Sequence, residues 1–466
     1  MSDLNKLTIK QALDGLKKGD FTSIDLTTAC LAQIERLNPE INAFITVRHE
    51  AIEDAKKADE SRKNGVEKPL LGIPIALKDI FMTEGIKTTA TSNILKDYIP
   101  QYDASVVKNL KTAGAIIVGK TNMDAWAHGS SGENSDFGPT RNPWNTKYVP
   151  GGSSSGSAVS VASNMAFAAT GTDTGGSIRL PASFNNVVGL KPTYGLVSRY
   201  GVIAMASSLD SIGHFTKTVE DSAIILNITA GRDEFDATTK NSPEDYTKDL
   251  GKDIKGLKIG SLKKYLNGAD ENIKKLTLDV EEKLQKLGAE IIDIDLPHSE
   301  YAIAAYYIIQ PAEVSSNLAR YDGIRFGEER SHFGEEAKRR IMLGTFTLSS
   351  GYYDAYYKKA MKIKTLIKQD FDKAFEKVDA IISPVSPTPP WKLGEKVNDP
   401  LKMYLSDIFT VTANLAGIPG LSIPAGFIKD NLPIGIQLLG AHFSESLLFQ
   451  IGYALEKTQE RRNFNI

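Results

Sequence analysis

Apolar positions in the N-terminal part of the chain recur every three to four residues, the spacing of amphipathic helices. This pattern predicts helices over residues 9–19, 21–37 and 49–65. The last of these stretches ends at Gly65, a residue type that often follows the end of a helix. The chain is therefore expected to begin with a helical segment.

After Pro69 the pattern changes to short runs rich in Ile and Val, which are typical of buried strands. Strands are predicted over 70–79, 113–120, 256–262, 289–297, 378–384, 420–427 and 433–440. Helices are predicted over 105–114, 272–288 and 444–460. Alternation of helices and strands indicates an α/β protein.

Residues 129–201 are rich in Gly, Ser, Thr and Pro, a composition that predicts loops, although the apolar run 157–170 interrupts it. The chain has no internal repeat and no segment of linker composition. We therefore expect one large α/β domain.

Composition excludes several classes of function. The 466 residues include 55 Lys and Arg against 57 Asp and Glu, so the chain lacks the cationic excess of a protein that binds nucleic acid by neutralising phosphates. The single cysteine, Cys30, excludes an internal disulfide and a four-cysteine zinc site. Its amphipathic setting predicts a packing role, and the six scattered histidines indicate no metal site.

The N-terminal segment has mixed charge and lacks the apolar core of an export signal. The most apolar windows elsewhere are too short to cross a bilayer. These features favour a cytoplasmic protein, with an organellar matrix left open.

Two glycine-rich segments carry the strongest chemical signal: VPGGSSSGSAVS at 149–160 and GTDTGGSIRLPAS at 171–183. Neither contains GxxxxGK[ST] or GxGxxG, so a phosphate-binding loop is not indicated. The alternative is an oxyanion hole beside a serine nucleophile, formed by backbone amides of Thr174, Gly175, Gly176 and Ser177. Each segment taken alone is equally compatible with a turn that has no catalytic role.

A serine nucleophile needs a base, and no histidine stands in a context that marks it as catalytic. Lys78, which ends the apolar run IPIALKD, is a candidate because burial lowers the pKa of a lysine from its usual ~10.4. The competing interpretation is an ordinary surface lysine.

Two other matches to catalytic motifs occur. Residues 152–156 (GSSSG) satisfy GxSxG with Ser154 as the nucleophile, but such a match arises easily in a Ser/Gly run. Ser105 and Lys108 satisfy SxxK without the accompanying KTG, which indicates a chance match.

The three motifs PxALKD, GGSSSGS and GTDTGGSIRxPA together, in this order, resemble the amidase signature family. The resemblance implies a triad in which Ser177 is the nucleophile, Ser153 is a bridging serine in a cis peptide with Gly152, and Lys78 is the base. It also implies a large mixed central β-sheet covered by helices on both faces.

The resemblance further divides the single domain, 1–466, into an N-terminal helical segment (about 1–65), a signature core (about 66–220) and a part that forms the substrate pocket (about 221–466).

Within this family, residues 122–145, 343–372 and 413–426 are similar to the glutaminase subunits of glutamyl-tRNA(Gln) amidotransferases. This likeness implies hydrolysis of glutamine, whose ammonia a partner uses to convert Glu-tRNA(Gln) into Gln-tRNA(Gln). It implies a heterotrimer with two companion subunits, B and C, and tRNA contacts made mainly by the partner. No cofactor is expected in this chain, whereas ATP and Mg²⁺ are expected to be used by the partner subunit.

The same likeness assigns residues to the substrate. Arg340 would bind the α-carboxylate of glutamine and Asp407 its α-amino group, and either Tyr306 or Tyr307 would contact it. A guanidinium suits a carboxylate and a carboxylate suits an ammonium. Without the resemblance, Arg340 and Asp407 would be interpreted as solvated charges.

The chain departs from the family pattern at several positions. Ser155 stands where the family usually has glycine, and the stretch between residues 320–327 and 333–340 is shorter than usual. Typical residues are also replaced at Ala125, Trp126, His128 and Gly132. Two further functions stay open: a stand-alone amidase acting on another small amide, and a non-catalytic scaffold subunit.

Overall fold

The structure is a computed structural model that describes residues 3–242, 245–324, 328–459, 462 and 464. Its helices are α1 (Ile9–Lys18), α2 (Ser23–Ile41), α3 (Ala51–Lys63), α4 (Ser105–Thr112), α5 (Ser155–Ala162), α6 (Arg179–Asn185), α7 (Val219–Thr229), α8 (Glu271–Lys286), α9 (Ala302–Asn317), α10 (Glu335–Thr347), α11 (Lys358–Phe375), α12 (Pro400–Tyr404), α13 (Val411–Ala416) and α14 (Glu445–Glu456). Residues 325–327, which immediately precede the stretch noted as short, lie outside the described residues.

The strands are β1 (Phe44–Val47), β2 (Pro74–Lys78), β3 (Ile116–Thr121), β4 (Ala168–Asp173), β5 (Val188–Lys191), β6 (Ser211–Thr216), β7 (Lys258–Ser261), β8 (Glu290–Asp293), β9 (Ala380–Pro384), β10 (Gly420–Ile428) and β11 (Leu432–Gly440). They form one 11-stranded sheet in the order β1-β3-β2-β4-β6-β5-β10-β11-β9-β7-β8. Parallel pairs such as β2 with β4 occur beside antiparallel pairs such as β4 with β6, so the sheet is mixed.

Hydrophobic side chains on both faces of the sheet are covered by helices. Along β2, Ile75 and Leu77 belong to one core cluster, together with apolar residues of α1, α4, α7 and α14. Ala76, which points to the other face, belongs to a second cluster with residues of α2, α3 and α5. The prediction of an α/β fold with a large mixed sheet between helices is thus confirmed.

The prediction of loops over residues 129–201 is wrong for part of that span. It contains α5, β4, α6 and β5, all fully buried. The segment β4 (AATGTD) lies in the middle of the sheet between β2 and β6, so neither face shows the alternation of a half-exposed strand. Small residues are used here because helices and strands pack closely. A Cβ added at Gly171, for example, would lie 2.7 Å from the ring of Phe215.

Distant parts of the chain meet in the middle of the sheet. Strand β5 pairs with β10 through Leu190 and Leu421, and β10 pairs in turn with β11. The subdivision of the single domain remains a prediction. Among the described residues, no helix is long and apolar enough to cross a membrane.

Candidate active site

Lys78 lies at the C-terminal end of β2 and is completely buried. Its Nζ donates hydrogen bonds to the hydroxyl oxygens of Ser153 (2.9 Å), Ser154 (2.8 Å) and Thr172 (2.7 Å). A surface lysine would keep its amine in solvent, so the interpretation as a surface residue is wrong. The amine instead lies among three hydroxyl groups, two from the first glycine-rich segment and one from β4.

Burial is the main electrostatic influence on this amine. It lowers the pKa of Lys78 to about 7, although the carboxylates of Asp124, Asp173 and Asp210 act in the opposite direction. A lysine with a pKa of about 7 is partly unprotonated at neutral pH. Lys78 is therefore suited to accept a proton.

The segment that carries Ser153 has the predicted cis peptide bond between Gly152 and Ser153. A Cβ at Gly152 would lie 2.0 Å from Oδ2 of Asp124, so glycine is required for this approach. Asp124 in turn accepts hydrogen bonds from the amides of Gly132 and Asn134. These contacts hold the backbone next to Ser153.

Ser177 follows β4 in the turn that leads to α6, and it is 8% exposed whereas Ser153 is fully buried. The two serine segments are joined by a backbone hydrogen bond from the Ser154 amide to the Ser177 carbonyl, 3.2 Å long. Within the described ranges, no hydrogen bond connects the hydroxyls of Ser153 and Ser177. The structure thus brings Lys78 and Ser153 into contact and leaves Ser177 beside them as the more accessible serine.

A buried ion pair that the motifs did not reveal supports the turn containing Ser177. Arg179 donates to both carboxylate oxygens of Asp173, at 3.1 and 3.0 Å, and also to Asn414 on α13. Burial alone would raise the pKa of Asp173, but Arg179 together with Lys191 and Asn414 outweighs burial and holds this pKa below its usual value. Asp173 remains ionised and accepts hydrogen bonds from backbone amides of the turn.

One of the four amides predicted to form an oxyanion hole is already engaged. The amide of Gly176 donates to Oδ1 of Asp173 at 2.9 Å. In the described part of the chain, the amides of Thr174, Gly175 and Ser177 donate to no other group. Three donors therefore remain available on this turn.

Arg340, on α10, is buried, so its interpretation as a solvated charge is wrong. Its Nε donates to Glu336 at 2.7 Å and its Nη1 to Oε1 of Gln310 at 2.9 Å. Burial would lower the pKa of Arg340, but Glu336 together with Tyr307, Tyr404 and Tyr306 outweighs this effect, raises the pKa and keeps the guanidinium charged. The ring of Tyr307 lies 5.6 Å from the guanidinium carbon.

Asp407 is also buried, so its interpretation as a solvated charge is wrong as well. Its carboxylate accepts hydrogen bonds from the hydroxyls of Ser130 (2.9 Å) and Tyr307 (2.9 Å). Burial raises the pKa of Asp407 to about 7, against the lowering effect of these two hydroxyls and of Arg340. Tyr307 thus contacts both charged candidates, one cationic and one able to become anionic.

The two tyrosines left open by the sequence are both near this group. Tyr307 bonds Asp407 and stacks on Tyr404 with 3.9 Å between ring centroids. Tyr306 packs on the Ser177 turn, because a Cβ at Gly175 would lie 2.6 Å from its hydroxyl oxygen. The rings of Tyr306 and Tyr307 are themselves in edge contact. The pair therefore connects the Ser177 turn to Arg340 and Asp407.

The remaining candidates have ordinary surroundings. Ser105, the first residue of α4, donates a hydrogen bond to Asp233. Cys30 lies in the core, where burial raises its pKa to about 12 and keeps the thiol protonated. Ser155 donates to Thr140, and its side chain packs against Gly132. No group of metal-ligating side chains is found among the described residues.

Comparison with known proteins agrees with this architecture. A family model described as Amidase matches residues 25–449. The A subunit of the glutamyl-tRNA(Gln) amidotransferase of Geobacter metallireducens is 54% identical, with 98% of each chain covered.

Among solved structures, the A subunit of the glutamyl-tRNA(Gln) amidotransferase of Thermotoga maritima is 45% identical with a TM-score of 0.85, covering 98% of this chain and 96% of that one. The peptide amidase of Stenotrophomonas maltophilia is 31% identical with a TM-score of 0.84, covering 98% of each chain. The three motifs, the fold and these matches together show that the chain belongs to the amidase family.

Proposed function

We propose that this chain is the glutaminase subunit of a tRNA-dependent amidotransferase. The observation that carries the proposal is the buried contact between Lys78 and Ser153, which lies beside Ser177 in a chain of the amidase family. The names of the relatives add the context, since they are A subunits of glutamyl-tRNA(Gln) amidotransferases.

The proposed reaction begins with Lys78 in its neutral form. Lys78 takes the proton of Ser153, Ser153 takes that of Ser177, and Ser177 Oγ attacks the carboxamide carbon of glutamine. The C–N bond then breaks as the returning proton reaches the leaving nitrogen, and ammonia departs. Water hydrolyses the acyl-enzyme on Ser177 and releases glutamate.

The developing oxyanion needs donors that are not already bonded. We assign this role to the amides of Thr174, Gly175 and Ser177, because Gly176 donates to Asp173. The charge of the substrate is matched at its other end: Arg340 would bind the α-carboxylate and Asp407 the α-ammonium, with Tyr306 and Tyr307 beside them.

In this proposal the ammonia passes to a companion subunit, and ATP and Mg²⁺ are used there. The chain would form a heterotrimer with subunits B and C, in the cytoplasm, and its own surface would contribute little to tRNA binding. A net charge of −2 is consistent with such a division of roles.

The test is a glutaminase assay of the full chain, alone and co-produced with the two companion subunits. Replacing Ser177, Ser153 or Lys78 by Ala is expected to reduce ammonia release by about 10³-fold or more. Ser105→Ala is the matched control and should retain wild-type activity, because Ser105 bonds Asp233 at the start of α4. Wild-type release from any of the three alanine variants would contradict the assignment.

Covalent labelling addresses the alternatives. An electrophilic glutamine analogue should modify Ser177, and the labelled peptide distinguishes it from Ser154, the nucleophile of the GxSxG interpretation. Absence of any adduct at saturating reagent would favour a scaffold. A chain that never associates with companion subunits and prefers another small amide to glutamine would favour a stand-alone amidase.

A further inference from the structure

Two buried polar side chains, those of His128 and Gln310, lie near Arg340 and have unused hydrogen-bonding atoms. Both side chains are fully buried. Within the described residues, neither ring nitrogen of His128 has a partner, and Nε2 of Gln310 has none either. Buried polar atoms in proteins are nearly always hydrogen-bonded. Three such atoms close to a substrate-binding candidate therefore leave hydrogen-bonding capacity that a polar ligand can satisfy.

The position of Gln310 follows from its bond to Arg340. Its Oε1 accepts from Nη1 of Arg340 at 2.9 Å. Nε2 belongs to the same planar amide group, so it lies next to the guanidinium with two N–H groups unused. A ligand that reaches Arg340 is within reach of this second donor.

His128 approaches the same group from another part of the chain. Trp126 and Ala127 both have positive φ values, 58° and 63°, and this turn brings His128 into the interior. Two residues later, Ser130 donates to Asp407. Burial and then the charge of Arg340 lower the pKa of His128 well below its usual value. The ring is therefore neutral and carries one N–H donor.

The three groups share one chemical preference. Arg340 is a cation, Gln310 offers N–H donors, and His128 offers one more, whereas a carboxylate accepts up to about four hydrogen bonds. We propose that His128 and Gln310 complete, with Arg340, the pocket for the α-carboxylate of the substrate. They would thereby select amino-acid amides over amides that lack this group. The inference rests on the proposed function, because it extends the assigned substrate site.

The test compares two amides that differ only in this group: glutamine and 4-aminobutanamide, which is glutamine without its α-carboxylate. His128→Met removes both ring nitrogens and keeps an apolar side chain of similar volume. Gln310→Glu keeps an oxygen for Arg340 and replaces the donor by an anionic oxygen. His214→Gln is the matched control, since His214 is a buried histidine bonded to Ser222 outside this group.

Loss of one hydrogen bond to a charged group corresponds to about a tenfold change or more. Each of His128→Met and Gln310→Glu should therefore raise the KM for glutamine about tenfold or more, with a much smaller change in kcat. The activity on 4-aminobutanamide should stay near that of the wild type, so the preference for glutamine falls. His214→Gln should leave the preference unchanged.

Equal losses on both amides would mean that the two side chains only stabilise the fold or bind water, and would overturn the proposal. An unchanged preference in both variants would overturn it as well. Calorimetric binding of glutamine to the full chain carrying Ser177→Ala provides a readout without hydrolysis. Glutamine binding that is weakened by adding His128→Met supports the pocket even if the wild type releases no ammonia, an outcome that would refute the proposed function alone.

Discussion

At the scale of single residues, Lys78 shows how burial changes the chemistry of a side chain. Desolvation disfavours the charged amine, and three neighbouring hydroxyls remain as its direct partners. The nearby carboxylates limit the shift and keep the pKa of Lys78 at about 7. The same residue type at the surface would stay protonated and could not act as a base.

The pH dependence of the proposed glutaminase activity follows from two groups. Lys78 must be neutral and Asp407 must be ionised, and both have a pKa of about 7. Both conditions are met above this pH and lost below it, so log kcat/KM for glutamine should fall on the acid side with a limiting slope of two. A pH profile of kcat/KM reports on the free enzyme and measures this slope directly.

One variant separates the titration of Asp407 from that of Lys78, and a second variant serves as its control. Asp407→Asn removes one titration, and the acid slope should decrease to one at a lower overall activity. Lys191→Met is the control, because Lys191 is also buried with a pKa of about 7 but bonds the Pro192 carbonyl. A change of slope in the Lys191 variant, or a slope of one in the wild type, would contradict the assignment.

A second residue-scale prediction concerns Gly132 and Ser155. A Cβ at Gly132 would lie 2.6 Å from the Cβ of Ser155, and Gly132 has a φ of 84°. Gly132→Ala should therefore reduce the free energy of unfolding by about 2 kcal/mol or more, from overpacking and from the left-handed backbone. Adding Ser155→Gly should recover the overpacking part. Denaturant unfolding of the single and double variants measures this coupling.

Gly138→Ala serves as the control for that pair. Gly138 has a φ of 87°, but a Cβ there would meet nothing closer than 3.5 Å. Gly138→Ala should therefore reduce the free energy of unfolding only by the cost of the left-handed backbone. Equal destabilisation by the two alanine substitutions, or no coupling in the double variant, would mean that the packing of Ser155 does not require glycine at residue 132.

At the scale of elements, the turn between β4 and α6 depends on a contact that comes from far along the chain. Arg179 at the start of α6 pairs with Asp173 at the end of β4, and Asn414 on α13 bonds both. This network binds the two ends of the turn that presents Ser177. The geometry of the candidate nucleophile is therefore set by packing between elements as well as by its own motif.

Arg179→Met should be strongly destabilising, because it leaves the carboxylate of Asp173 buried without its cation. Removing one partner of a buried ion pair typically costs about 3–5 kcal/mol. In the folded fraction, kcat for glutamine should fall more than KM rises, since the turn loses its support. Thermal and denaturant unfolding together with steady-state kinetics test both effects.

Lys10→Met is the comparison variant. Lys10 pairs with Asp14 on α1 at 2.6 Å, both side chains are about half exposed, and solvent-exposed pairs contribute only up to about 1 kcal/mol. A loss of stability as small in Arg179→Met as in Lys10→Met would refute the role given to the buried pair.

At the scale of the whole molecule, the sheet joins the two halves of the chain. Strand β5 of the N-terminal half pairs with β10 of the C-terminal half, and β9 pairs with both β11 and β7. The hydrophobic cluster on one face contains residues from α1 as well as from α14. These connections favour a single cooperative domain over two separable ones.

This organisation predicts how fragments behave. The fragments 1–230 and 231–466, produced separately, should each lack a stable fold. The cut removes the pairing of β5 with β10 and the hydrogen bond from Arg179 to Asn414. Co-production should restore a protease-resistant complex. Circular dichroism and limited proteolysis of each fragment provide the measurement, and a cooperatively folded 1–230 fragment would contradict the single-domain prediction.

The sequence alone determined the local features. Amphipathic periodicity located α2 and α3, apolar runs located β2 and β3, and the three short motifs identified the family and indicated Lys78, Ser153 and Ser177 as candidate residues. These features are local because helix periodicity, strand runs and motif loops depend on neighbours within a few residues.

Only the tertiary structure decided the features that depend on long-range contact. It showed that β4 is a central strand, that Asn414 bonds Asp173 across 241 positions, and that Gln310 lies beside Arg340. It also revealed that His128 is buried with no partner among the described residues. Burial and distant partners set the pKa values of the candidate site, and no local pattern carries that information because the contacts form only when the sheet brings the segments together.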